Sequence, residues 1–200
     1  QRNWVRYRTT ILASPEASPL LTLTNASEFT HIDGCTLKGA RQRAVLIDGG
    51  APRFRNCTFD DNEADIGGAI LITRSAAPVI EYCTFTNNRA RRSGGAIAVT
   101  GLRSRASGTP LVAQCFFSSN AAVSLGGAIL LQQNTARVTI ANSVFYGNGT
   151  GSSGGGVAVY DAEVMITQCT FSRNESGSHA SSAKALYLSA PASCQLRNSI

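Results

Sequence analysis

From Cys83 to Val99 the chain reads C-T-F-T-N-N-R-A-R-R-S-G-G-A-I-A-V, and the phrase returns from Cys57 to Ile72, Cys115 to Leu131, Ser143 to Val159 and, degraded, Cys169 to Leu188. Each copy carries an aromatic (Phe59, Phe85, Phe117, Phe145, Phe171) with Cys or Ser two residues before it and Asn three residues after it (Asn62, Asn88, Asn120, Asn148, Asn174). The residue five before the aromatic is apolar throughout: Phe54, Ile80, Val112, Ile140, Ile166. A glycine pair follows in four copies (Gly67-Gly68, Gly94-Gly95, Gly126-Gly127, Gly154-Gly155), then a short apolar run. With Leu37 as the first marker, the spacings are 22, 26, 32, 28 and 26 residues. Self-similarity at such a period is the signature of a solenoid.

The runs after Gly-Gly alternate (Ile70/Ile72, Ile97/Val99, Ile129/Leu131, Val157/Val159, Leu186/Leu188). A period of two predicts strands buried on one face. No stretch of eleven or more residues holds a 3.6-residue period, so no helix is expected. Like residues recur at like positions, which places Phe over Phe and Asn over Asn in parallel register. The fold expected is all-β: a right-handed parallel β-helix with three short strands of four to six residues per rung and six to seven rungs, ~4.8 Å apart. Residues 1–19 read as an irregular lead-in in which Trp4, Val5, Tyr7, Ile11 and Leu12 point to one or two strands, and 20–200 as the β-helix. Asn198-Ser199-Ile200 repeats Asn142-Ser143-Val144, so the solenoid is expected to continue past residue 200. The insertion from Gly101 to Gly108 must bulge outward, because neighbouring rungs do not lengthen with it.

The phrases G-G-A-[ILV] and F-x-x-N resemble the repeats of polymorphic outer membrane proteins, within the wider group of right-handed parallel β-helix surface and secreted proteins. The likeness spans residues 20–200. It implies an extracellular or cell-surface passenger, structural or adhesive, whose partners are other surface or matrix proteins or acidic glycans. Two alternatives stand beside it: a fragment of a β-helix polysaccharide lyase or glycoside hydrolase, and a subunit of an extracellular fibre or sheath assembled through rung ends or side faces.

Composition narrows the chemistry. Only 15% of residues are charged and the net charge is +6, with Lys38 and Lys184 the only lysines among 18 cations. Arg is the side chain suited to bidentate contact with carboxylate, sulfate or phosphate. No apolar run approaches the ~20 residues of a membrane-spanning helix, and the aromatic interleaving used for single-stranded nucleic acid is missing. Gly149 to Gly154 fits G-x-G-x-x-G, but it sits at a corner before a strand, with no helix to receive a pyrophosphate. No cofactor is implied.

The Asn column reads as a structural amide stack at a corner that tolerates a left-handed backbone. Cys35, Cys57, Cys83, Cys115 and Cys169 share one column with Ser143 and Ser199, while Cys194 lies off it. In-register Cβ atoms one rung apart are wider than the ~3.8 Å a disulfide prefers, so stacked free thiols are expected. The acidic cluster Asp60, Asp61, Glu63 and Asp65 falls at one corner. With no second acidic residue above or below, it reads as a solvated turn, with a weak calcium site as the alternative. His31 and His179 stand apart from it. The cations gather more tightly: Arg89, Arg91 and Arg92 at one corner, Arg103 and Arg105 on the long loop, and Arg53 and Arg55 on one strand face. The first five are the candidate anion or glycan site, no catalytic residue is assigned, and stacked arginines would repel unless anions or Asp/Glu intervene. Sequons occur at Asn25, Asn56, Asn148 and Asn174; the last two belong to the corner column, and Asn25 is the candidate acceptor in a eukaryotic source.

Overall fold

The computed structural model describes residues 9–14, 19–102, 108–177 and 183–200. Every strand pairing in it is parallel, and no helix occurs among the described residues. The marker residues sit at the centres of Cys35–Lys38, Thr58–Asp60, Thr84–Thr86, Phe116–Ser118, Val144–Tyr146 and Thr170–Ser172. With Thr9–Leu12 these strands form a seven-stranded sheet. The lead-in is therefore already part of the solenoid: Ile11 pairs with Leu37 at the foot of the marker column. Trp4, Val5 and Tyr7 lie outside the described residues.

Two further sheets complete the coil. A four-stranded sheet holds the corner strands Glu63–Ile66, Arg89–Ser93, Ala121–Ala122 and Gly149–Thr150. A twelve-stranded sheet holds the strands after Gly-Gly together with the return strands that carry Ile32, Phe54, Ile80 and Val112. In two coils these segments fuse into the single strands Ile129–Ala141 and Val157–Thr167, longer than the four to six residues expected. There the bend is made within the strand, at Gln133 (φ 52°) and Asp161 (φ 50°), and the register shifts between Asn134 and Val138 before pairing resumes. Nine of the other strands have only three residues. The coil containing the long loop returns to register at Leu111, opposite Val79, while residues 103–107 lie outside the described set.

The interior is a set of vertical columns. Phe59, Phe85, Phe117, Phe145 and Phe171 stack with ring centroids 4.7–4.8 Å apart and planes within 6° of parallel. That spacing is the strand separation itself: identical residues in parallel register have nowhere else to place their rings. Phe54, Ile80, Val112, Ile140 and Ile166 form a second fully covered column, and Ile70, Ile97, Ile129 and Val157 a third.

One expectation needs correction. The strands after Gly-Gly are not buried on one face only: Ala98, Leu130 and Ala158 point away from the main core, yet are at most 1% exposed. They form a small second core with Ile66, Leu71, Leu125 and Tyr187. The first glycine of the pair brings the corner strand over this outer face. Gly67 and Gly94 hold φ of 64° and 70°, and a Cβ on Gly67 would stand 3.2 Å from the Ala98 methyl. The second glycine permits coil-to-coil contact, since a Cβ on Gly95 would lie only 2.0 Å from the Gly127 carbonyl oxygen.

A charged corner across three coils

The Asn column forms a buried ladder. Asn88 Nδ2 donates to the Phe59 carbonyl one coil down (3.0 Å) and to Asn120 Oδ1 one coil up (2.9 Å), while Asn88 Oδ1 accepts from the Asn62 amide N–H (3.2 Å). Asn62, Asn120 and Asn148 repeat the pattern, and the ladder ends on the Ala40 N–H, which donates to Asn62 Oδ1. The structural role stands, but not the left-handed backbone expected of these residues. That conformation belongs to the residue before each one: Asp61 (φ 53°), Asn87 (56°), Ser119 (55°), Gly147 (62°) and Arg173 (53°). It recurs before the Cys/Ser column, at Asn56, Tyr82, Gln114, Asn142 and Gln168. Asn148 and Asn174 are buried, so their sequons are covered.

All six cysteines are free. In the column each Sγ faces the carbonyl oxygen two residues earlier, at 3.2 Å for Cys57, Cys83 and Cys115 and 3.3 Å for Cys169. Ser143 Oγ donates to the equivalent Ala141 oxygen at 2.8 Å, which explains why Ser fits the slot. Contact with Cys83, together with burial, pushes the Cys57 thiol far above its ordinary pKa, and Cys115 has the same effect on Cys83. These thiols are poor nucleophiles and pack as small hydrophobes.

Outside the ladder, the acids and cations of three consecutive coils interlock. Asp60 accepts from Lys38 Nζ (2.6 Å) on the coil below and from Thr86 Oγ1 (3.0 Å) and Asn87 Nδ2 (3.1 Å) on the coil above. Partial burial works to raise the Asp60 pKa, but the three donors outweigh it and hold the carboxyl below its usual range. The same bond raises Lys38. Arg41 reaches Asp61 (3.5 Å) and Glu63 (4.0 Å) from below. From above, Arg91 meets Glu63 with Nε (2.9 Å) and Asp65 with Nη1 (3.2 Å), and is raised chiefly by the Glu63 bond.

The expected solvated turn is in fact a cross-coil ion network. Lys38 and Arg41 close it from below and Arg91 from above, and this is what the bare sequence did not show. The four carboxylates of the calcium alternative, Asp60, Asp61, Glu63 and Asp65, are each engaged by Lys or Arg. Among the described residues, no group of three or more His, Cys, Asp or Glu is placed to hold a metal ion. Of the predicted arginine site, Arg91 is committed to this network, whereas Arg89 and Arg92 are exposed and free of ion pairs among the described residues. Arg103, Arg105 and His179 lie outside the described residues.

A second charged surface occupies the return strands. Arg53 and Arg55 line a groove of about 190 Å³ with His31, Asp33 and Glu81. Asp33, Arg55 and Glu81 share one column on three consecutive coils. The Arg55 guanidinium lies 5.0 Å from the centre of the Tyr82 ring, and Asp33 Oδ1 accepts from Asn56 Nδ2 (2.9 Å). The signal for this column was present in the sequence, since Ile32, Phe54 and Ile80 align and each is followed by one of these residues.

Stacked coils of parallel strands, interior amide and aromatic ladders, and charge carried on outward positions define a β-helix repeat protein. The family model described as "Right handed beta helix region" matches residues 20–198, and the chain belongs to that family. No curated protein and no solved structure matches it.

Proposed function

We propose that this chain is a non-catalytic β-helix scaffold of the polymorphic outer membrane protein type, structural or adhesive, displayed outside the cell. Its contacts with other surface or matrix proteins or with acidic glycans run through its outward arginines. One observation carries the reading. The carboxylates best grouped for acid–base work each hold a cation from an adjoining coil, while Arg89 and Arg92 project without a counter-ion among the described residues. An anion-binding surface needs only fixed positive charge, and its affinity falls with salt.

The test presents the protein to immobilised acidic and neutral glycans at low and physiological salt, beside a variant with Arg89, Arg91, Arg92, Arg103 and Arg105 changed to Ser. Salt-sensitive retention on acidic glycans, lost in the variant, is expected. Retention unchanged by the substitutions would remove the arginine surface from the account. Protease treatment of intact source cells checks display: a chain cleaved only after lysis is not on the surface.

The column Asp33–Arg55–Glu81 favours a second reading as a carbohydrate-active enzyme fragment. Two carboxylates two coils apart are separated by roughly 9.6 Å at ~4.8 Å per coil, near the ~6.5–9.5 Å of inverting glycosidases. Release of reducing ends, abolished by Asp33→Asn or Glu81→Gln, would replace the scaffold reading with this one.

A further inference from the structure

Where the other coils place the second glycine of the pair, ahead of Ala69, Ala96 and Ala128, the first full coil has Arg43 ahead of Ala44. Ala44 donates to the Ala69 carbonyl as Ala69 does to that of Ala96, which fixes the equivalence. Arg43 holds φ of 79°, a region that L side chains other than Asn and Asp seldom occupy. Its Nε is buried with no hydrogen-bond partner, and its guanidinium makes no ion pair among the described residues. Burial lowers its pKa, with Asp65 opposing from a distance.

A buried, unpartnered donor on a strained residue is costly, and such strain collects where a ligand is held. Arg43 opens onto a polar cavity of about 130 Å³ shared with Arg41, Gln42, Ala64, Asp65 and Arg91. Two of the three guanidiniums are already braced from behind, Arg41 by Asp61 and Glu63, and Arg91 by Glu63 and Asp65. Three cations thus line a space that holds one carboxylate, and the innermost cation has no partner. Guanidinium forks match tetrahedral and planar oxyanions through paired N–H···O contacts.

We propose that the cavity between Arg41, Arg43 and Arg91 is an oxyanion site, with Arg43 as its central ligand, taking a sulfate-type or carboxylate group such as an acidic glycan carries. This deepens, and rests on, the reading of the chain as an anion-binding scaffold. It moves the specific contact from the exposed Arg89 and Arg92 to a half-enclosed site that runs from Arg91 on their own strand to Arg41 and Arg43 two coils below.

The experiment titrates inorganic sulfate into the whole chain at constant ionic strength, with chloride as the balance, and reads binding heat and the unfolding midpoint. A sulfated disaccharide and a uronate disaccharide form parallel arms that separate the two oxyanion sources. Sulfate strengthens apolar burial generally, so the comparison lies between variants. Arg43→Gly is expected to raise the midpoint in chloride by relieving the backbone, and to weaken sulfate binding at least tenfold. Arg43→Lys keeps the charge but loses the fork, and is expected to fall between. Arg197→Ser, an exposed cation at the end of Ser193–Arg197 and outside both arginine surfaces, should bind sulfate as the unaltered chain does. A sulfate response in Arg43→Gly equal to that of the unaltered chain overturns the site, as does absence of binding heat in all three arms. Should Arg43→Gly fail to fold, Arg41→Ser gives the same reading from the rim. Loss of this site with salt-sensitive glycan retention intact would sink the inference and leave the scaffold reading standing.

Discussion

Asp61 and Asn62 are neighbours in the chain and opposites in the structure. Asn62 is 1% exposed, and its amide is held by the coils above and below. The Asp61 side chain is half in solvent, with a single 3.5 Å partner. The same division runs up the rod: the inner position stays Asn in five coils, while the outer one changes from Asp to Asn, Ser, Gly and Arg. An inner side chain takes as its partner the same residue one coil away, so any change is felt by two neighbours at once. An outer side chain meets solvent and whatever the next coil offers. It is therefore free to vary, and a charge network can occupy three coils and then stop. Beyond it the outward marker-sheet positions turn apolar at Phe116, Val144 and Tyr146, each 37–41% exposed.

This contrast can be broken most forcefully at the aromatic stack. Phe85 lies between Phe59 and Phe117 at 4.7 Å on either side, and Phe85→Ala is expected to cost about 3–5 kcal/mol in denaturant unfolding. Phe171, stacked on one side only and half-buried, should cost less when changed in the same way. Equal losses would mean that neighbours above and below do not share the burden.

Next comes the ladder. Asn88→Ala leaves the buried Asn62 backbone N–H without its partner, at about 1–3 kcal/mol for an orphaned group. Asn87→Gly, one residue outward, keeps the left-handed corner as Gly147 does, removes only a hydrogen bond to Asp60 and should scarcely move the midpoint. A reversal of that order would refute the inner–outer division.

The smallest effect belongs to the charged corner and is read by pH. Asp60 is held below its unfolded pKa, so its contribution is present above that value and is lost as pH falls through the folded one. The urea midpoint should decline as pH drops from about 5 to 3. Asp60→Asn should flatten part of that slope while leaving the neutral-pH signal of the fold unchanged. An identical slope in the variant would show that the corner does not couple to folding.

Much of the fold was legible because a solenoid writes its contacts as repetition. Aligning the markers alone gave the strand register, the Asn column, the Cys/Ser slot and the off-column place of Cys194, which pairs opposite Val164 in the return strands. The left-handed corners were less legible. They fall on Tyr82, Gln114 and Gln168 as readily as on Asn, because pairing on both sides imposes the conformation whatever residue is there. The buried outer face of Ala98, Leu130 and Ala158 was hidden for a related reason: alternation tells which side of a strand faces inward, but not that a glycine turn folds a neighbouring strand over the other side.

The candidate site divides along the same line. That Arg89, Arg91 and Arg92 share a corner, and that Asp60, Asp61, Glu63 and Asp65 share another, follows from their positions in the repeat. That these are one corner on successive coils, with Lys38 and Arg41 closing it from below, depends on how the coils stack. So does the solitary Arg43, which is only a missing glycine in the sequence and becomes an unpaired buried donor beside a cavity once Arg91, 48 residues later, is folded over it. Periodicity determines the backbone because every coil must fit its own copy. Charge pairing is decided in three dimensions, because outward side chains find partners across coils that the repeat does not require to match.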